Sequence, residues 1–449
     1  MSLLRTINQC PIARWLPLAV LALVFAKTGM TETAHPTNHA LDLTPVKPET
    51  VGFSSERLER LHALIQGEID RKELAGAITL LARHGKVVDY RTYGQRDIAA
   101  NTPMTKDVIF RAYSMTKPVT GVAMMILYEE GKWLPTDPIS KYIPEFANLK
   151  VFGGVGADGK MILVAPDHPP TLRELLSHSA GFSYGSGHSL VDAMYHDQKV
   201  MQSHDLHEMV QKLAAIPLHY QPGRGWTYSV SMDIQGHLIE KLSGQSLPEF
   251  MRQHIFQPLG MKDSGFFVPP DKRSRLATNY RDTPEDQLVP VSTPGRAPDD
   301  YATEPTMPSG GGGLVSTAED YYRFAQMLAN GGELAGKRIL APASVTLMTS
   351  NHLPQNLLTG EFGIGQHIMR PGFGYGFNCA VVFDPAAAVL PDGKGTFFWD
   401  GAAGTWFWVD PTNDIVFVGM IQRMTSHDNH NLEYRSHATV YQALVDPSK

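Results

Sequence analysis

The feature that most constrains the fold is the arrangement of strand-type segments at both ends of the chain around a helix-type middle. Two β-type runs, 77–83 and 87–93, flank His84-Gly85-Lys86, a pattern that predicts a β-hairpin. Further strand-type runs occur at 380–384, 395–399, 405–409 and 415–422. Segments with helical spacing, interrupted by Pro and Gly, fill 115–290. We therefore expect an α/β (α+β) fold, in which one antiparallel sheet is built from both termini and flanked by helices, plus a mostly helical inserted domain.

Helical spacing also indicates where individual helices lie. A first helix is predicted over 54–71, with Ser54 or Ser55 as its N-cap, and a closing helix near 432–445. Within the middle of the chain we expect helices over 116–131, 171–177, 205–215, 231–243 and 247–255. The sheet part then covers about 46–113 and 300–449, and the helical part about 114–299.

Composition narrows the class of protein. The chain has 449 residues, of which 43% are hydrophobic and 19% charged, enough to bury a large core and to exclude disordered or fibrous architectures. The formal net charge is −6 and no Lys/Arg-rich run occurs, so the basic face that a nucleic-acid binder needs is missing.

The N-terminus differs in character from the rest. Arg5 and Arg14 precede the apolar run 15–26, a pattern typical of a secretory signal peptide, and a polar stretch follows. We expect a signal peptide at 1–26, a flexible leader at 27–45, a single catalytic unit at 46–449, and export to the periplasm or the medium. No stable membrane span is expected after processing, because twelve apolar residues are too few to cross a bilayer. A buried or uncleaved N-terminal helix is the alternative.

Ser114-Met115-Thr116-Lys117 is the first motif that could carry chemistry. It is the chain's one S-x-x-K, and a helical pattern begins at the serine. Residues i and i+3 share a helix face, so the Lys117 amine can reach the Ser114 hydroxyl. Serine needs a neighbouring base to become a nucleophile, and burial lowers a lysine pKa enough to provide one. The alternative is an N-cap serine followed by a surface lysine.

Two later segments supply further candidates. Tyr228, in Gly225-Trp226-Thr227-Tyr228, could pass a proton between the serine and a leaving group; the alternative is a half-buried packing residue. The segment 398–405, Phe-Trp-Asp-Gly-Ala-Ala-Gly-Thr, is a strand with small residues that could expose backbone N–H groups to an oxyanion. The alternative there is a tight bend between two strands.

In this order the three segments resemble the serine β-lactamase, DD-peptidase and esterase superfamily, and most closely its family VIII carboxylesterases. The similarity runs from about residue 50 to the C-terminus. Further matching stretches are 137–146, 175–181, 258–266, 312–320 and 409–411.

The resemblance implies roles for individual residues. Ser114 corresponds to the acylated nucleophile, Lys117 to its activating base and Tyr228 to the proton relay. The oxyanion hole would consist of the backbone N–H groups of Ser114 and Ala402. Neither a cofactor nor a metal is implied.

Three positions depart from the lactamase and peptidase pattern and would shape substrate binding. Trp399-Asp400-Gly401 occupies the place of the Lys/His-Thr/Ser-Gly motif, close to the Trp-Gly-Gly of the carboxylesterases. Val230 occupies the place of an asparagine that contacts amide side chains. Without the Lys or His cation of that motif and without the asparagine amide, the site is expected to favour a neutral, apolar ester as substrate. Asp400 in place of glycine either repels anionic substrates or faces away.

Other motifs are interpreted as structural. Gly181-Phe182-Ser183-Tyr184-Gly185 matches the nucleophile elbow of α/β-hydrolases, but helical spacing precedes it where a strand is required. The glycine run 310–313 is expected to be a close-packed turn near the rim of the active site. Cys379, in an apolar run, is expected in the core. The histidines that could suggest a metal site are expected to be solvated; they are His427, His430 and His437.

We therefore expect a serine hydrolase (carboxylesterase type) that cleaves small-molecule carboxylic esters of short or medium acyl chains through an acyl-enzyme on Ser114. A β-lactamase, a D-amino-acid peptidase or amidase, and an acyltransferase of the same superfamily are the enzymatic alternatives. A binding module that has lost catalysis is disfavoured, because Ser114, Lys117 and Tyr228 are all present.

Overall fold

The computed structural model describes residues 41–283, 287–291, 301–354, 357, 370–424 and 427–449. These residues all lie in one compact unit. The expected signal peptide, and the leader up to residue 40, lie outside the described residues. Within the described part, no helix combines the length and the apolar character needed to cross a membrane.

The strands of the described chain are β1 (Gly76–Arg83), β2 (Lys86–Asp97), β3 (Thr102–Pro103), β4 (Phe110–Arg111), β5 (Val151–Val155), β6 (Met161–Val164), β7 (Tyr280–Asp282), β8 (Leu288–Pro290), β9 (Val315–Ser316), β10 (Glu333–Leu334), β11 (Lys337–Arg338), β12 (Phe373–Tyr375), β13 (Ala380–Val382), β14 (Thr396–Asp400), β15 (Trp406–Asp410) and β16 (Ile415–Met420).

The helices are α1 (Ser55–Asp70), α2 (Thr116–Glu129), α3 (Leu172–Leu176), α4 (Leu190–Asp197), α5 (Leu206–Ala214), α6 (Ser231–Ser243), α7 (Leu247–Met251), α8 (Gln257–Leu259), α9 (Ala318–Ala329), α10 (Pro342–Met348), α11 (Pro385–Ala388) and α12 (His427–Tyr441).

The predicted sheet built from both ends of the chain is confirmed. Eight strands pair in the order β12-β13-β14-β15-β16-β1-β2-β3, and each neighbouring pair is antiparallel. The N-terminal strand β1 therefore lies between the C-terminal strand β16 and its own hairpin partner β2. The tight turn joining β1 to β2 places His84 and Gly85 at φ 52° and 67°, the left-handed conformation that two-residue hairpin turns require.

Helices cover the sheet and form the middle of the chain. α1 begins at a Ser54 cap, which accepts from the Arg57 N–H, and buries Leu58, Leu61 and Ile65. It packs against α12, whereas α9 packs against β1, β15 and β16. α2 contacts α6, α7 and α10, so the helix that begins two residues after Ser114 is central to the helical part.

The structure differs from the sequence prediction at several elements. α9 and α10 lie in the C-terminal third, where strands and only a closing helix were expected, and the β5–β6 hairpin lies in the helical middle. The single helix expected over 247–255 is α7 followed by a π-helical turn, Arg252–Phe256, which leads into α8. That turn continues the chain into Pro258, which cannot donate a helical hydrogen bond.

Candidate active site

Ser114 lies in a strained turn at the start of α2. It belongs to the short 3-10 turn Tyr113–Met115, where Tyr113 adopts φ 44°, an unfavourable value for a bulky side chain. The Thr116 hydroxyl stabilises this turn by donating to the Tyr113 carbonyl at 2.6 Å. Ser114 itself is half-buried, so its hydroxyl remains accessible at the end of the turn.

Lys117 lies one helical turn further on and is 1% exposed. Its Nζ is 3.1 Å from Ser114 Oγ and donates to the Gly311 carbonyl at 2.7 Å. Burial lowers the pKa of Lys117 to about 7, although the negative charges of Asp233 and Asp400 favour its protonated form. The alternative of a surface lysine is therefore wrong, because the amine is enclosed beside the serine.

Tyr228 reaches Ser114 from the other side. Its Oη donates to Ser114 Oγ at 2.7 Å, and its ring centroid lies 4.4 Å from Lys117 Nζ. Burial raises the pKa of the phenol above its usual range, outweighing the opposing hydrogen bond with Ser114, so Tyr228 is neutral. The serine hydroxyl is thus hydrogen-bonded between an amine and a neutral phenol.

The segment after β14 lies against the chain just before Ser114. The Gly401 N–H donates to the Thr405 carbonyl at 2.7 Å, and the Thr405 hydroxyl donates to the Ala112 carbonyl at 3.1 Å. A Cβ on Gly401 would overlap the Ala112 carbonyl oxygen, so glycine permits this close approach. Ala402, the next residue, is exposed. We call 401–404 the β14–β15 turn.

The three candidate substrate-binding side chains have different surroundings. Trp399 is 4% exposed, and its ring centroid lies 5.6 Å from that of Tyr228. Val230 is fully buried immediately before α6, so its side chain has no exposed surface. Asp400 Oδ2 lies 3.5 Å from His430 Nδ1, toward α12.

Two polar groups near Lys117 were not predicted. Asp233, on the first turn of α6, is fully buried; its Oδ1 accepts from Ser309 Oγ at 2.5 Å and from the Gly311 N–H at 3.3 Å. The run 310–313 is therefore a close-packed turn, as expected, and it contacts both Lys117 and α6. A carboxylate among apolar helix positions is the sequence signal that could have revealed Asp233.

The second unpredicted group is His178, which is 1% exposed. It lies just beyond α3, and its ring centroid is 4.9 Å from that of Tyr228. Burial, together with the positive charge of Lys117, lowers the pKa of His178 well below its usual value. The imidazole is therefore neutral.

Ser183, in the nucleophile-elbow motif, has a structural environment. It is 4% exposed, donates to Asp192 Oδ1 at 2.8 Å and accepts from the Gly185 N–H at 2.9 Å. The helix α3 precedes it instead of the strand that an elbow needs. Cys379 is buried as expected, and its thiol pKa is raised to about 12 by burial.

The expectation that the C-terminal histidines are solvated is wrong for His437. Its side chain is 2% exposed, its Nδ1 lies 2.9 Å from Asp392 Oδ1, and its ring stacks 3.8 Å from that of Trp408. The sheet and α12 enclose it, which local sequence does not reveal. The side chain of His427 lies outside the described residues.

Among the residues that the structure describes, one group of side chains has donor atoms close enough to hold a cation. Asp400, His430 and Glu433 each offer one atom, all within 4.8 Å of one another. Burial lowers the pKa of His430, but the hydrogen bond with Glu433 and the charge of Asp400 outweigh burial and raise it overall. A protonated His430 can therefore supply the positive charge between the two carboxylates.

The site as a whole has the components of nucleophilic acyl transfer. The Ser114 hydroxyl is within hydrogen-bonding distance of the Lys117 amine. Because burial lowers the pKa of this amine, it can take the proton of the serine. A neutral phenol, hydrogen-bonded to the same hydroxyl, can donate a proton to a leaving group.

Comparisons with known proteins agree with this geometry. The family model described as Beta-lactamase matches residues 61–442. Protein Rv1367c of Mycobacterium tuberculosis is 36% identical over 376 residues, which cover 81% of this chain and 90% of that protein. Esterase EstB of Burkholderia gladioli is 32% identical over 367 residues, which cover 78% of this chain and 86% of that protein.

Solved structures show the same fold. The structure of EstCE1, described as a hydrolase with promiscuous acyltransferase activity, superposes with a TM-score of 0.73 at 28% identity. The match covers 86% of this chain and 99% of that one. The β-lactamase-like fold expected from the motifs is thereby confirmed. The chain belongs to the beta-lactamase family, and it is a serine hydrolase of the beta-lactamase fold with esterases among its relatives.

Proposed function

We propose that the protein is a carboxylesterase that hydrolyses esters of short or medium acyl chains through an acyl-enzyme on Ser114. The observation that carries the proposal is the position of Ser114 Oγ, 3.1 Å from Lys117 Nζ and 2.7 Å from Tyr228 Oη. The similarity to EstB, whose name states that it is an esterase, supports the same chemistry.

In the proposed reaction, neutral Lys117 takes the proton of Ser114 as Oγ attacks the ester carbonyl carbon. The N–H groups of Ser114 and Ala402 stabilise the oxyanion. Tyr228 donates its proton to the departing alkoxide, and the proton on Lys117 restores the phenol. Water then attacks the acyl-enzyme carbonyl by the reverse route, which releases the carboxylic acid and returns the proton to Ser114.

The surroundings of the serine favour a neutral substrate. Trp399 packs against Tyr228 at the position where a lactamase or peptidase would have a cation, so an anionic carboxylate on the substrate has no partner there. The side chain of Val230 is fully buried and offers no amide contact. We therefore expect ester turnover to exceed turnover of the lactam nitrocefin.

Transfer to an alcohol is a second candidate activity. EstCE1, with 28% identity, is named a hydrolase with promiscuous acyltransferase activity. The same acyl-enzyme would transfer its acyl group to an alcohol that takes the place of water. Product analysis with p-nitrophenyl butyrate and increasing 1-butanol tests this: butyl butyrate is expected to form in proportion to the alcohol.

The proposal is tested by p-nitrophenyl butyrate hydrolysis, with Ser114→Ala and Ser183→Ala as matched variants. Ser114→Ala should lower kcat at least about 10³-fold, because the nucleophile is lost. Ser183→Ala should keep kcat within about twofold and lower the free energy of unfolding by about 1–3 kcal/mol, because it leaves buried hydrogen-bonding groups unsatisfied. Loss of turnover in folded Ser183→Ala alone would overturn the assignment of the nucleophile.

Export is proposed separately, from the apolar run 15–26 after Arg5 and Arg14. Expression of the full chain in a Gram-negative host, followed by mass measurement of the purified protein, tests it. We expect a periplasmic product that has lost about the first 26 residues. An intact chain in the cytoplasm would contradict the proposal.

A further inference from the structure

His178 contacts the chain on both sides of Tyr228. Its carbonyl accepts from the Thr227 N–H at 3.0 Å, and its ring Nδ1 accepts from the Ser229 N–H at 3.2 Å. One residue therefore binds the backbone N–H groups of the residues immediately before and after the tyrosine. The Tyr220 hydroxyl also donates to the His178 carbonyl, at 3.3 Å.

The imidazole also packs against the phenol. The ring centroids of His178 and Tyr228 are 4.9 Å apart, and those of His178 and Tyr375 are 5.3 Å apart. The Tyr228 ring is thus constrained by ring packing as well as through its backbone. A shift of about 1 Å in a reacting group can cost about 10²-fold in rate, so this constraint bears directly on catalysis.

The hydrogen bonds define the tautomer of His178. The Ser229 N–H can only donate, so Nδ1 must accept and the neutral ring carries its proton on Nε2. Nε2 has no hydrogen-bond partner among the described residues. A protonated ring would lose the acceptor that the Ser229 N–H requires, so only the neutral form fits this position.

The backbone of His178 is strained. Its φ is 59°, in the left-handed region, which is uncommon for residues other than glycine and is often found at functional sites. This conformation lets one residue direct its carbonyl toward Thr227 and its ring toward Ser229 and Tyr228.

We propose that His178 is a positioning residue that holds the Tyr228 hydroxyl against Ser114 by binding the backbone on both sides of the tyrosine and packing against its ring. The inference rests on the proposed function, because it assumes that Tyr228 acts as the proton relay. His178 does not contact the reacting atoms and acts through the tyrosine.

A double-mutant cycle tests the proposal. The p-nitrophenyl butyrate kcat and KM are measured for the wild type, His178→Phe, Tyr228→Phe and the double variant. His178→Phe keeps a ring but removes the acceptor, so kcat should fall about 10- to 100-fold while KM changes less than about threefold. In the Tyr228→Phe background the same change should have less than about a twofold further effect on kcat, because the hydroxyl that His178 positions is already absent.

Two further variants separate positioning from folding. His178→Asn keeps an acceptor and tolerates a left-handed φ, so it should retain a higher kcat than His178→Phe. If His178→Phe does not fold, His178→Asn takes its place in the double-mutant cycle. His62→Ala is the matched control, because His62 is also buried, at 6% exposure, but lies on α1. It should leave kcat within about twofold.

Each outcome has a separate meaning. If the two changes lower kcat independently, so that their effects multiply, His178 does not act through Tyr228 and the proposal is overturned. The proposal also fails if neither His178 variant lowers kcat more than His62→Ala does. If Tyr228→Phe keeps full activity while Ser114→Ala has none, the relay role and the positioning role are both wrong, but the acyl-enzyme proposal stands.

Discussion

At the scale of single residues, the protonation state of Lys117 determines the pH range in which Ser114 can react. Full burial lowers the pKa of the amine, whereas Asp233 and Asp400 pull in the opposite direction, and the result is a pKa of about 7. A charged ammonium cannot take the Ser114 proton, so the proposed base is active only in its neutral form.

The need for a neutral Lys117 fixes the expected pH dependence of catalysis. For p-nitrophenyl butyrate, whose reacting part does not titrate, kcat/KM should rise with pH through about 7 and become level above it. The measurement is kcat/KM between about pH 5 and about pH 9. Circular dichroism at each pH checks that the protein remains folded over this range. A kcat/KM that is constant across this range would contradict the role of Lys117.

The two acidic residues provide a control for the same prediction. Asp233→Asn removes a charge that raises the Lys117 pKa, so the rise of kcat/KM should move to lower pH. Asp400→Asn should move it in the same direction by less, because Asp233 has the larger effect. A shift to higher pH in either variant would show that another group titrates.

The residues of the site differ in how well they can be predicted from the sequence. The spacing of Ser114 and Lys117 is local, because i and i+3 share a helix face, and the structure places the two side chains in contact. Tyr228 required the resemblance to a family, since 114 positions separate it from the serine. His178 and Asp233 were missed because their surroundings come from elements distant in the chain.

At the scale of elements, the β14–β15 turn depends on its close approach to the segment before Ser114. Gly401→Ala would bring a Cβ against the Ala112 carbonyl and the Thr405 hydroxyl, so the turn would have to move away from the serine. We expect kcat to fall about 10²-fold or more, because the Ala402 N–H would leave its position. Steady-state kinetics with p-nitrophenyl butyrate checks this.

Gly265→Ala serves as the matched control for the turn. Its added Cβ would meet no atom closer than 3.8 Å, so kcat should stay within about twofold of the wild type. Retention of full activity by Gly401→Ala would show that the turn does not contribute to the site.

Local sequence indicates some elements and not others. α6 begins and ends where its spacing predicted, at Ser231 and Ser243, and Gly244 follows with φ 73° as its C-cap. α9 was missed although Thr317 caps it by accepting from the Asp320 N–H. Its N-terminus could therefore have been predicted, and the error was to treat the C-terminal third as strands up to the closing helix. The π-helical turn before α8 has no such local signal.

At the scale of the whole molecule, the two ends of the described chain meet at Arg83, the last residue of β1. The side chain is 2% exposed. Its guanidinium donates to the Val51 carbonyl at 2.9 Å, the Asn413 carbonyl at 2.9 Å and the Pro447 carbonyl at 2.8 Å. These acceptors lie before α1, between β15 and β16, and after α12. The Arg83 guanidinium therefore joins three segments that are distant in the sequence and that the sheet order brings close together.

We predict that this junction makes a large contribution to stability. Arg83→Met keeps most of the apolar stem but removes the donors to one buried carbonyl, that of Val51, and to two partly buried ones. The free energy of unfolding in urea should fall by about 3 kcal/mol or more, since each orphaned buried group costs about 1–3 kcal/mol. Arg91→Met is the matched control: Arg91 lies on the neighbouring strand β2 with a side chain 46% exposed, and its ion pairs with Asp89 and Glu59 should contribute less than about 1 kcal/mol. Equal losses in the two variants would show that the ends of the chain are joined by the sheet alone; a larger loss for Arg83→Met would show that the guanidinium contributes to joining them.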